Sequence, residues 1–190
     1  MSFSSLFFLF VFLPISLVVY FLCPARFRKI PLVLISLIFF AWGEPVYLIL
    51  LLISLAFNYV SALEIAAFRT QEKQTAARVA MIVAVAANLL LLGYFKYLGF
   101  LISNLSLLPG VHLAAPRLTQ PLGLSFYTFT VLSYVLDVYK GKAEPQRNVL
   151  NYLVYATFFP KFMSGPIVLY REMETQLSEE KRVVPSRLGA

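Results

Sequence analysis

Apolar residues gather into blocks at about residues 3–22, 31–41, 46–63, 79–94, 98–108, 122–136 and 150–170, with short polar stretches between them. The first block, Phe3 to Leu22, is close to the ~20 residues that a helix needs to cross a bilayer. No basic residue precedes it and no small-x-small cleavage site follows it. It reads as a retained helix with a kink at Pro14 rather than a cleaved leader. Residues 31–41 are short for a full span. They end at Trp42-Gly43-Glu44-Pro45, where an interfacial Trp and a Gly/Pro turn suit a shallow hairpin with 46–63. Glu64 to Arg78 is polar and reads as a loop of helical character. Residues 79–94 cross again, 98–108 lie in the interface, Pro109 to Pro121 form a loop, and 122–136 return.

The last block is the most informative. Phe158 to Glu172 reads FFPKFMSGPIVLYRE, apolar enough for a bilayer yet holding two prolines, a glycine and a lysine. Pro160 removes a backbone donor and clashes with the carbonyl of Ala156, and Gly165-Pro166 breaks the helix again. Freed carbonyls and an ammonium are tolerated at membrane depth only where protein or a water-filled cavity receives them. The pattern therefore predicts an all-α membrane protein: a polytopic transmembrane helix bundle in one domain over 1–190, with a broken or re-entrant helix near 150–170.

Composition agrees. The chain is 60% hydrophobic and 13% charged, and its mean hydropathy is +0.80. The net charge of +7 raises nucleic acid as a partner, but its placement argues otherwise. The clusters Arg26/Arg28/Lys29, Arg69/Lys73/Arg78, Lys140/Lys142/Arg147 and Arg171/Lys181/Arg182/Arg187 each flank an apolar block, as the positive-inside rule expects of cytoplasmic loops. The partner they imply is the lipid bilayer, with the N-terminus outside and no nucleic acid. Basic residues flank 150–170 on both sides, and a re-entrant hairpin keeps both inside. Cys23 is the only cysteine, so it forms no internal disulfide. It reads as a small apolar residue at a helix end, in a geometry that also permits acylation.

Soluble-enzyme motifs are missing: there is no phosphate-binding glycine loop, no zinc motif and no cysteine cluster. The only histidine, His112, falls between prolines and reads as a surface-loop residue. Lys161 has two readings of similar weight, an anion-holding group at the cytoplasmic mouth or a snorkelling side chain. Lys96 in GYFKYLGF reads better as snorkelling, Asp137 as a helix-end carboxylate, and Glu44 as a solvated turn residue. Ser125, Tyr127, Thr128 and Thr130 share one helix, where hydroxyls usually bond backbone or a neighbouring helix. The functional alternative makes Ser125, Tyr127, Thr128 and Asp137 a polar cavity wall.

Four stretches occur in an order and spacing that resemble a known family: WGEP at Trp42–Pro45; GYFKY at Gly93–Tyr97; LGLSFYTF at Leu122–Phe129 with SYVLDVYKG at Ser133–Gly141; and FFPKFMSGPIVLYRE. Together they resemble the N-terminal part of the membrane-bound O-acyltransferases, in the branch of the alginate O-acetylation proteins. The resemblance implies a polytopic enzyme of the bacterial cytoplasmic (inner) membrane. Such an enzyme moves an acetyl or other acyl group from a cytoplasmic donor, acetyl-CoA or an acyl-carrier thioester, to an extracytoplasmic polysaccharide. No cofactor is bound. The resemblance further implies partner proteins that complete transfer outside. It also implies a C-terminal half of the same enzyme, beyond Ala190, that carries the family's catalytic histidine. By the same match Phe159, Pro160, Gly165, Pro166 and Ile167 are core residues of the acyl path, and Lys161 stands at a commonly polar position. His112 does not match the catalytic histidine, so the residues up to Ala190 are expected to transfer no acyl group by themselves. A transporter or flippase segment, or a non-catalytic membrane scaffold, are the alternatives. A transporter calls for a second broken segment related to Phe158–Ile167, and the sequence offers no convincing one.

Overall fold

The computed structural model describes residues 6–43, 45–106, 121, 123–160 and 169–173. Among them every regular element is a helix, as the apolar blocks predict. A π-helical turn, Phe8–Phe12, runs directly into α1 (Leu13–Leu22). A 3-10 turn at Ala25–Phe27 reverses the chain into α2 (Lys29–Gly43), followed by α3 (Pro45–Thr70), α4 (Gln74–Leu105), α5 (Leu124–Tyr139) and α6 (Val149–Thr157).

Pro14 shows how sequence shapes the first helix. Leu13 donates its N–H to the carbonyl of Phe8, five residues back. The wider turn makes room for a proline ring that would press on the carbonyl of Phe10 in a regular α-helix. The π turn thus takes up the strain expected as a kink.

Two boundaries differ from those the sequence suggests. Glu64 to Thr70 are the last turns of α3, and only residues 71–73 leave the helix before Gln74. Glu64, Ala66, Ala67 and Arg69 are good helix formers, and no proline interrupts them. Helix α4 likewise runs unbroken through Tyr94–Leu98, between the two blocks read as a span and an interfacial segment. Lys96 ends an apolar count but not a helix, because lysine has a high helix propensity.

α3 and α4 are each long and apolar enough to cross a membrane. At 1.5 Å per residue they extend about 39 and 48 Å, beyond the ~30 Å of a hydrocarbon core. Only 33% and 22% of their apolar windows are buried against protein. A helix at the heart of a soluble protein turns its apolar residues inward, whereas here Leu90, Phe100, Ile53 and Val46 face out. An apolar exterior is what a bilayer solvates, so the protein sits in a membrane.

The inward faces follow helical spacing. α3 buries Leu51, Ser54, Leu55, Asn58, Ser61, Ala62 and Ile65, and α4 buries Ala77, Ala84, Asn88 and Leu92. Small residues recur on these stripes and let the backbones approach closely. α5 is the central element, burying ten of its 16 residues, and it packs on both α3 and α4. α6 packs against α2 and α5. Lys29 Nζ donates to Asn151 Oδ1 (2.7 Å), and Arg69 Nη1 to the carbonyl of Val138 (2.8 Å). These bonds bring the turns that follow α1, α3 and α5, with their basic clusters, to one end of the bundle.

Candidate functional site

Both termini of α5 are fixed by glycines in the left-handed region. Gly123 (φ 67°) opens the helix. At the other end Gly141 (φ 67°) closes a Schellman cap, in which Lys142 N–H reaches the carbonyl of Asp137 and Gly141 N–H that of Val138. The Arg69 guanidinium lies so close over Gly141 that a Cβ there would collide with it. Its positive charge also suits the negative end of the helix dipole.

A network of hydroxyls and aromatic rings joins α5, α6 and the loop between them. Asn148 caps α6, its side chain accepting from the N–H groups of Leu150 and Asn151. The Tyr134 ring meets that of Tyr152 at a tilt (centroids 5.2 Å apart) and that of Tyr170 edge-on (4.7 Å). The Tyr134 hydroxyl accepts from Gln146 N–H (3.0 Å), and Gln146 Nε2 donates to the Tyr170 hydroxyl (3.1 Å). Tyr152 donates to the carbonyl of Leu55 and Tyr155 to that of Thr130. The Tyr155 ring also packs edge-on against Tyr170 (5.1 Å).

The helix break lies where the prolines predict it. α6 ends at Thr157, Phe158 turns to φ −54°, ψ 107°, and Phe159–Pro160 form a turn. The residue before a proline is pushed out of the α region, and here the chain leaves the helix two residues before Pro160. Phe159 is buried, its ring among Phe8, Phe12 and Phe39, and its N–H donates to Ser36 Oγ (3.2 Å). The far end of the segment, Tyr170, is buried against Tyr134 and Tyr155. The informative segment is therefore anchored at one end on the first helix and α2, and at the other on α5 and α6.

The remaining candidates divide. Lys161, Gly165, Pro166 and Ile167 lie outside the described residues, as do His112 and Glu44. Ala190, beyond which the resemblance puts the catalytic histidine, lies outside them too. Pro160 is exposed, and Ser125 is half-buried. Tyr127, Thr128 and Asp137 are all buried. Thr128 and Asp137 are nine residues apart, which on a helix is about 14 Å and half a turn of direction. α5 therefore does not bring them to one point. Asp137 instead shares its face with Thr130, Ser133 and the Tyr155 hydroxyl. Asp137 Oδ2 and Thr128 Oγ1 are buried with no hydrogen-bond partner among the described residues. A buried polar oxygen left in that state is costly and calls for an explanation such as a working role. Chemically it can accept a proton, or a hydrogen bond from a hydroxyl or ammonium. Lys96 is exposed on α4 with its ammonium over the Tyr97 ring.

Sequence reasoning passed over Asn58, Asn88, Asn151, Tyr134, Tyr152 and Tyr155. A lone asparagine in an apolar run was the available signal, since burying an amide in a membrane helix demands a partner.

Known proteins place this arrangement. The chain is 36% identical to the "Probable alginate O-acetylase AlgI" of Azotobacter vinelandii, over 94% of this chain and 36% of the relative. It is 34% identical to the protein of the same name in Pseudomonas aeruginosa, over 97% of this chain and 36% of the relative. It is 32% identical to the peptidoglycan O-acetyltransferase of Helicobacter pylori, over 94% of this chain and 39% of the relative. The chain thus spans little more than a third of the length of these curated relatives. No family model and no solved structure matches it. Over nearly all its residues the chain is thus similar to several proteins of the membrane-bound O-acyltransferase type, alginate O-acetylases among them.

Proposed function

We propose that the chain supplies part of a membrane O-acyltransferase that moves an acetyl or other acyl group onto an extracytoplasmic polysaccharide, of the alginate type or another envelope polymer. The observation that carries this reading is the alignment of 94% of the chain with proteins named for O-acetyl transfer to alginate and peptidoglycan. The donor is a thioester, acetyl-CoA or an acyl carrier. Its carbonyl carbon passes from sulfur to a hydroxyl oxygen, the thiol leaves, and the hydroxyl proton must be taken up.

The protein is a multi-pass component of the bacterial cytoplasmic membrane with its N-terminus outside. The gathering of basic turns at one end of the bundle supports that orientation. The segment from Phe159 and Pro160 through Lys161 to Gly165, Pro166 and Ile167 borders the acyl path, and its anchorage on two separate helix pairs supports that role. Asp137 belongs to the same path through its unpaired, buried oxygen, with Ser125, Tyr127 and Thr128 on another part of α5. The remaining machinery, including the histidine, comes from a C-terminal half of the same enzyme. Extracytoplasmic partner proteins complete the transfer.

Deleting the gene and measuring O-acetyl esters on the purified envelope polysaccharide tests this reading. Loss of the esters, restored by the gene in trans, is the expected result. Unchanged acetylation in the deletion strain overturns it.

A further inference from the structure

An apolar groove of about 440 Å³ runs between the first helix and α2, lined by Phe12, Ile15, Val19, Leu34, Ile38 and Trp42 among others. The single hydroxyl in its wall, Ser16 Oγ, donates to the carbonyl of Phe12, and the other polar side-chain group lining it is the Trp42 indole N–H at one end. From Pro31 to Trp42 the groove is about 16 Å long, close to the ~15 Å of one hydrocarbon leaflet. Phe7 stacked on Trp42 (5.8 Å) marks its far end. An extended acyl chain within one leaflet matches that length.

Its near end carries charge. Val19 and Pro31 lie beside the turn that joins α1 to α2, which holds Arg26, Arg28 and Lys29. Arg28 rests on the Tyr20 ring (5.5 Å) and gives its Nε to the carbonyl of Cys23 (3.2 Å). Neither of its Nη groups is hydrogen-bonded among the described residues. Arg26 is exposed beside the Phe27 ring. A guanidinium held by its Nε side, with both Nη groups open, suits a phosphate oxygen pair. Basic pockets beside membrane helices on the cytoplasmic side are where anionic headgroups bind.

We infer that this groove is a binding site for one anionic phospholipid, its acyl tail lying against Ile15 and Leu34 and its phosphate on Arg26 and Arg28. The site occupies the leaflet next to the basic turns. It rests on the membrane location of the protein and not on the proposed acyl transfer. It also borders Phe12, which packs on Phe159, so the lipid buttresses the wall on which the broken segment is anchored.

The test compares photoactivatable phosphatidylglycerol and phosphatidylcholine, each with a diazirine in the acyl chain, on the protein in nanodiscs. The expected result is preferential phosphatidylglycerol labelling of peptides containing Ile15 and Leu34, with no preference on the exposed α3 face at Ile49 and Ile53. The combined variant Arg26→Gln/Arg28→Gln should reduce the preference by about fivefold for each arginine, and Leu34→Trp should reduce groove labelling by both probes. Equal preference at the groove and at the α3 face overturns the inference. So does a groove that neither probe reaches because a protein segment covers it. A hydroxylamine-labile acyl group on Cys23 filling the groove would also overturn it, and Cys23→Ser distinguishes that case by leaving phospholipid labelling intact if the inference holds.

Discussion

Asn58 of α3 and Asn88 of α4 face each other with amides paired in both directions. Asn58 Nδ2 donates to Asn88 Oδ1 (3.1 Å) and Asn88 Nδ2 to Asn58 Oδ1 (2.7 Å). Each Nδ2 also donates to its own helix, at the carbonyls of Ser54 and Ala84 (both 2.8 Å). Every amide hydrogen of the pair is used, so two buried polar groups become a fixed register between the longest helices. Either Asn→Ala substitution should destabilise the bundle by about 0.6–2 kcal/mol, the span measured for interhelical hydrogen bonds in membranes. The double variant should cost little more than the worse single one, since the second removal leaves no amide unpaired. Unfolding titrations of all four proteins in mixed micelles check this, and strictly additive losses would contradict it.

Gly141 and Arg69 form a second interlock, at the basic end. The φ of 67° at Gly141 and the guanidinium pressed over it both exclude a side chain. Gly141→Ala should cost about 1–3 kcal/mol through backbone strain and displacement of Arg69. Arg69→Ala loses the bond to the Val138 carbonyl and the charge at the C-terminal end of α5, together about 1–2 kcal/mol. Together the two changes should cost less than their sum, because the collision vanishes with the arginine. A thermal-stability series read as a double-mutant cycle decides this.

Such couplings mark the limit of what the sequence discloses. The two helices long and apolar enough to cross a membrane follow from apolar length, and the break before Pro160 from the chemistry of proline. Asn58 and Asn88 are 30 residues apart, each a single amide in an apolar run, and nothing in their spacing announces that they meet. The hydroxyls of α5 read as one polar wall because they lie close in the chain. Helical rotation sends Thr128 and Asp137 in different directions, a fact of three-dimensional geometry that one-dimensional proximity hides. Lys96 misled in the opposite sense, since it interrupts an apolar count without interrupting α4.

The anchor at Phe159 joins the first helix to the broken segment. Ser36→Ala removes the acceptor of the Phe159 N–H, and a buried donor left unpaired costs about 1–3 kcal/mol. Phe159→Ala empties an aromatic cluster, and Phe-to-Ala changes in protein cores cost about 3–5 kcal/mol. Phe159→Leu should recover much of that loss, because it retains apolar volume where only packing is at stake. Stability measurements in detergent should rank the three variants as leucine mildest and alanine at 159 worst. A milder loss for Phe159→Ala than for Ser36→Ala would refute the anchor.

Asp137 separates stability from activity. Its Oδ2 is buried and unbonded among the described residues, so the carboxyl contributes little that a neutral isostere would lose. Asp137→Asn should keep the fold and leave the melting temperature unchanged or raised, since the isosteric side chain breaks no hydrogen bond at that position. If the carboxyl serves the acyl path, the same variant in the cell should lower polysaccharide O-acetylation at least about tenfold, a loss of about 1.4 kcal/mol or more in barrier height. Asp137→Glu restores the charge at a displaced position and should recover only part of the activity. Measuring melting temperature and ester content on the same three proteins tests both halves at once. A variant that unfolds as it loses acetylation would make Asp137 structural, and a stable variant with full acetylation would remove it from the acyl path.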